Sequence, residues 1–221
     1  MTTLFRKEKT CAVCGATGTY TEVGSTNRMG SPDLDTRPPE MMRSTIDFWL
    51  DRCLSCGYCA PDVDQVQPGV AALVSSPVYQ AQSQDPAYSE LANRFLCWAL
   101  IQEQLGDHSG AGWSRLRAAW VCDDNEQREA AVNCRRRAVD TLLHARAQGE
   151  TFIEGVGSEE ALLADLLRRS GQFERAAATC QDGLARDPEP PLRQILLFQQ
   201  ARALAEDGAC YTMGDAVKRN T

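Results

Sequence analysis

The chain of 221 residues is 43% hydrophobic and 24% charged, enough apolar material for one medium domain or two small ones, which excludes wholesale disorder. Its net charge is −7, and residues 1–60 balance seven Lys/Arg against seven Asp/Glu, so neither half offers the basic excess that tracks a nucleic-acid backbone. Ten cysteines and two histidines are too few for a disulfide-stapled miniprotein, and no apolar run of about 18 residues could span a bilayer.

The start, MTTLFRKEKTCAVC, carries no leader-like apolar stretch, so the expected compartment is the cytoplasm, where clustered thiols bind metal or do redox chemistry more often than they form disulfides. The first cluster is Cys11-Ala12-Val13-Cys14-Gly15. Thr17 to Val23 follows, rich in β-branched and aromatic residues and expected to be a strand. The stretch Gly24 to Glu40, full of Gly, Pro, Ser and Asp, reads as a long irregular excursion. Ser44 to Arg52 alternates, with Ile46, Phe48 and Leu50 on one side and Asp47, Trp49 and Asp51 on the other, which predicts a second strand. Then comes Cys53-Leu54-Ser55-Cys56-Gly57, a second copy of C-x-x-C-G.

In each copy the two-residue spacing brings both sulfurs within reach of one ion, and the glycine lets the backbone turn so that amides face the thiolates. Four thiolates suit zinc in a closed tetrahedral, structural site. Strands between the knuckles predict a zinc ribbon with Cys11, Cys14, Cys53 and Cys56 as ligands, although the 38 residues from 15 to 52 exceed the usual insertion. A β unit this small needs such a staple. Cys59 is either a small residue just outside the knuckle or the partner of Cys56 in a redox pair.

Residues 61–85 read as a connector with one short helix near Val70 to Val74. Helical periodicity begins after Asp85-Pro86, a predicted cap and first-turn proline, with Tyr88, Leu91, Phe95, Trp98 and Leu105 on one stripe up to Gly106. Further helices are predicted over 111–122 and 125–148, then one capped by Ser158 with Glu159 and Glu160 in its first turn, and two more over 172–186 and 191–206, joined by short connections that favour antiparallel hairpins. Cys97, Cys122, Cys134, Cys180 and Cys210 fall mostly on apolar stripes of the predicted helices and, without C-x-x-C spacing, read as core thiols. The run Arg135-Arg136-Arg137 faces three directions and reads as a solvated surface.

Residues 160–188 fit a tetratricopeptide helix-turn-helix: Leu163, Ala164 and Leu167 on the first helix, Gly171 and Phe173 at the turn, Ala176, Cys180 and Gly183 on the small face of the second, and Pro188 at the end. Such arrays bind peptides or proteins along a groove. The whole order of features resembles an uncharacterised bacterial family, a domain of unknown function with an N-terminal zinc-ribbon-like part and a C-terminal tetratricopeptide-like part. The features that carry it are the two C-x-x-C-G knuckles, the loop with Asp33, Asp35 and Arg37, the Ala118-Ala119-Trp120 segment and the late repeat unit, spanning Lys9 to Ala216. The resemblance implies the four knuckle cysteines as ligands and Gly171, Phe173 and Ala176 as the repeat signature. Members commonly have proline after the first knuckle cysteine; this chain has Ala12 and Leu54 there. The resemblance implies an architecture and a bacterial origin, but no reaction.

No HExxH, P-loop, GxSxG or dinucleotide fingerprint occurs. His108 and His144 lack a neighbouring knuckle or carboxylate cluster in the sequence. Asp33 and Asp35, spaced by two, either bind a cation or basic partner or cap turns and pair with Arg37 to order the loop. The resulting expectation is an α+β, predominantly α protein: a zinc ribbon over 1–60, a connector over 61–85 and tetratricopeptide-like α-hairpins over 86–221. It is expected to be a non-enzymatic adaptor for an unidentified protein or peptide partner, with structural zinc and no membrane association. The alternatives are a nucleic-acid-binding ribbon and a thiol or zinc redox sensor using Cys56 and Cys59.

Overall fold

Strand β1 (Thr3–Thr10) pairs antiparallel with β2 (Thr17–Ser25) in the register Thr10↔Thr17, Lys9↔Gly18 and Lys7↔Tyr20. The structure, a computed structural model, describes residues 1–218. The first knuckle is the loop of this hairpin. A much shorter hairpin, β3 (Asp51–Arg52) with β4 (Cys59–Ala60), carries the second. The strands therefore flank each knuckle and do not run from one knuckle to the other. Strand β1 escapes the sequence pattern because Lys9 is its one buried residue, so no apolar alternation marks it.

The predicted strand over 44–52 is corrected. Short α1 (Glu40–Arg43) is followed by a 3₁₀ turn at Ile46–Phe48, and only Asp51 and Arg52 are extended. Ile46 and Leu50 are the buried pair, a spacing of four that suits a turn of helix better than alternation. The Trp49 indole N–H donates to Thr45 Oγ1 at 2.9 Å and pins the turn.

The connector holds α2 (Val70–Val74), as predicted, and also α3 (Pro77–Ser83), which begins on a proline capped by Ser76. Helix α4 (Glu90–Gln104) is capped by Ser89 and not by Asp85, whose carboxylate instead accepts from the Ala87 amide. Then follow α5 (His108–Asp124), α6 (Arg128–Ala147), α7 (Ser158–Arg169), α8 (Phe173–Ala185), α9 (Leu192–Leu204) and α10 (Met213–Lys218). Ser158 is the first helical residue and Gly157, at φ 80°, takes the cap position. From α4 to α9 each helix packs on the next, and α7 also touches α9. Among the described residues no helix is long and apolar enough to cross a membrane.

Helices α7 and α8 form a helical hairpin. Leu163, Ala164, Leu167, Ala176 and Cys180 are buried, and Gly171 turns the chain at φ +76°. Gly183 is required by a close approach: a Cβ there would lie 2.8 Å from Glu160 Cβ and 3.0 Å from Leu196 Cδ1. The main core joins Ile46 and Leu50 to Phe95, Leu116, Leu142 and Leu166. A second cluster packs the knuckle residues Cys11, Cys53 and Tyr58 against Tyr79, Cys97 and Ile101 of α3 and α4.

Candidate metal centre and its surroundings

The two knuckles are built alike. The Cys11 amide donates to the Ala16 carbonyl at 2.9 Å and the Gly15 amide to the Cys11 carbonyl at 2.8 Å; in the second copy Cys53 donates to Tyr58 at 2.8 Å and Gly57 to Cys53 at 2.9 Å. Gly15 and Gly57 adopt φ +76° and +79°, the left-handed region a side chain resists. Tyr58 continues the same register and sends its hydroxyl to the Gln65 carbonyl at 2.6 Å.

The four thiols converge. Cys11 Sγ lies 3.7 Å from Cys56 Sγ and Cys14 Sγ lies 3.6 Å from Cys53 Sγ, and all four sulfurs fall within 4.8 Å of one another. Tetrahedral zinc–thiolate bonds of about 2.3 Å would set sulfur–sulfur edges of ~3.8 Å, so the donor set fits such an ion closely. The separations are far beyond a disulfide bond of about 2.05 Å, and all four cysteines are free. Cys11 and Cys53 are buried, Cys56 is half-buried and Cys14 is exposed. The Ala16 amide is the main cause that lowers the Cys14 thiol to about 7. Burial pushes the Cys11 and Cys56 thiols up.

Lys9, which no motif or spacing singles out, joins the two hairpins. Its buried ammonium lies 2.7 Å from Asp51, 2.9 Å from Glu22 and 3.1 Å from Asp62. Burial opposes its charge, but the three carboxylates hold its pKa above the ordinary lysine value. The Ala12 amide, donating to the Val63 carbonyl at 2.8 Å, adds a backbone link.

Cys59 stands apart from the four-thiol group. It is buried, donates its thiol to the Gly57 carbonyl at 3.3 Å and donates its backbone amide to the Tyr79 hydroxyl oxygen at 3.0 Å. Its thiol interacts with Cys97 of α4, whose hydrogen bond lowers it. Cys97, Cys122, Cys134 and Cys180 are buried as expected of core thiols, whereas Cys210 is exposed in the irregular stretch between α9 and α10, which corrects its assignment to the core. The two histidines meet edge to face across α5 and α6, with ring centroids 4.5 Å apart, a contact their sequence separation conceals.

The excursion between β2 and α1 is the largest departure from expectation. Residues 33–37 lie on the helices, and their charges are distributed among separate partners. Asp33 pairs with Arg43 at 2.8 Å. Asp35 is fully buried, and its carboxylate accepts from the Trp120 indole at 2.9 Å and from Arg169 at 3.0 Å, with Arg135 at 4.0 Å. Arg37 pairs with Asp124, and only its backbone amide reaches the Asp35 side chain, at 3.2 Å. Arg135 is thus buried, and the expectation of a wholly solvated arginine run fails at that residue because Asp35 and Asp123 neutralise it. Burial would raise the Asp123 carboxyl, but Arg135, Arg169 and Arg37 hold it below its ordinary value.

No family model, curated protein or solved structure matches the chain.

Proposed function

We propose that the protein is a non-enzymatic scaffold whose N-terminal hairpins are stapled by structural zinc at Cys11, Cys14, Cys53 and Cys56, and whose tetratricopeptide-like helices hold another protein. The observation that carries the metal assignment is the mutual approach of four thiols from two matching knuckles. Four protein donors complete a tetrahedral shell, leaving no position for a reacting water, as in structural zinc sites. The adaptor role draws on the α7–α8 hairpin, where small residues admit close helix packing, the feature repeat arrays use to build extended recognition surfaces.

The test is metal analysis of the full chain purified under reducing conditions, followed by replacement with cobalt. One zinc per chain is expected, with cobalt giving the absorption of a tetrahedral tetrathiolate, and Cys11→Ser and Cys53→Ser should each lower the affinity for metal steeply. A folded chain that carries no metal and takes up neither ion would sink the metal assignment.

A further inference from the structure

The segment from Asp33 to Arg37 sits on the helices as a bound peptide would. It is a short buried island: Asp33, Leu34, Asp35 and Arg37 are buried, while residues 28–31 before it and 40–41 after it are exposed. Leu34 enters an apolar cluster with Ala161 and Ala164 of α7, Ile195 of α9 and Ala216 of α10. Its amide donates to the Tyr211 carbonyl at 2.9 Å, and Asp33 forms an antiparallel bridge with Thr212, so the backbone is read as an added strand is. Asp35 supplies the charged contact, held by an indole N–H and an arginine from two different helices. Arg37 completes the pattern on Asp124. A loop that merely closes a surface has little reason to desolvate a carboxylate, which is costly unless the site is built around it. The turn is also strained, since Thr36 sits at φ +67°.

We infer that the helices carry a binding site for an extended protein segment in which an aliphatic residue is followed by a carboxylate, and that the chain's own Leu34-Asp35 fills this site in cis. The partner presents the same chemistry: an apolar side chain for the α7–α9 cluster, a carboxylate for Trp120 and Arg169, and a backbone amide and carbonyl for the Tyr211 carbonyl and the Met213 amide. It gains access by displacing the internal segment. This deepens the adaptor reading above and rests on its helical half, so failure of the zinc assignment would not by itself overturn it.

The experiment uses the full metal-loaded chain and a fluorescent octapeptide of residues 31–38, Ser-Pro-Asp-Leu-Asp-Thr-Arg-Pro, followed by anisotropy. In a chain carrying Leu34→Ala and Asp35→Ala the cis segment is weakened, and the probe should bind roughly 30-fold more tightly than to the unaltered chain. A probe with alanine in place of Asp35 should lose a similar factor. A variant with unaltered helical circular dichroism that binds no better, or that binds both probes equally, overturns the inference. Hydrogen exchange of the unaltered chain decides the case if the variant fails to fold. The amides of Leu34 and Arg37 should then exchange at least about tenfold faster than those in the middle of α7, through local opening of the segment. Equal protection would mean that the site opens only with global unfolding, and the inference falls.

Discussion

Lys9 places one ammonium among Asp51, Glu22 and Asp62, and Asp51 is itself buried. Replacing it with methionine removes the charge but keeps the bulk, leaving a buried carboxylate unpaired. Lys9→Met should therefore destabilise the fold by about 3 kcal/mol, measured by urea unfolding. The pH dependence has a definite sign. The folded pKa lies above the ordinary lysine value, so the contribution is fully present below about pH 10.4 and is lost as the pH rises through the folded value. The gap between wild type and Lys9→Met should be flat across the neutral range and close only in strong alkali. Residues differ in how openly the sequence declares them. The knuckle cysteines are legible because spacing alone brings two sulfurs together. Lys9 is not, because its three partners come from β2, β3 and the segment after β4.

Helices α5, α6, α8 and α9 follow from apolar periodicity and punctuation by Gly, Asp and Pro, with ends displaced by one to three residues. Elements whose side chains face water or whose contacts are distant are hidden. Strand β1 buries one residue, α3 starts on a proline that resembles linker chemistry, and the turn at Ile46 mimics strand alternation. The α7–α8 hairpin supports a sharp prediction because its two glycines serve different needs. Gly183 packs against Glu160 and Leu196 with no room for a Cβ, so Gly183→Val should cost about 2 kcal/mol by overpacking. Gly171 has open space around it but a φ of +76°, and Gly171→Ala should cost only ~1 kcal/mol of backbone strain. Thermal unfolding of both variants separates the two causes; equal losses would contradict the packing argument.

At the scale of the whole molecule, the segment between Cys14 and Cys53 is pinned at both ends by one thiol cluster and near its middle by the helices. Metal at the knuckles should therefore stabilise more than the two hairpins. Chelating it should lower the melting temperature of the helical signal, because the untethered segment loses the entropic advantage of a closed loop. Circular dichroism at the helical band before and after chelation checks this, and an unchanged helical melt with confirmed metal loss would refute the coupling. This coupling is the least legible feature of all. The sequence marks Asp33, Asp35 and Arg37 as candidates, yet nothing near them in the chain signals Trp120, Arg169 or Tyr211 as their partners.

The Ser31–Gly214 contact joins residues 183 positions apart, the Gly214 amide donating to the Ser31 hydroxyl at 2.7 Å. On a ribosome adding about 5–20 residues per second, the early segment waits roughly 10–40 s for the C-terminal residues that receive it. During that interval the helical surface is still being made and Asp33 and Asp35 remain hydrated. The final seating of the segment on residues 211–214 is thus a late event in the birth of the molecule, closing residues 31–35 onto them after everything between has been synthesised.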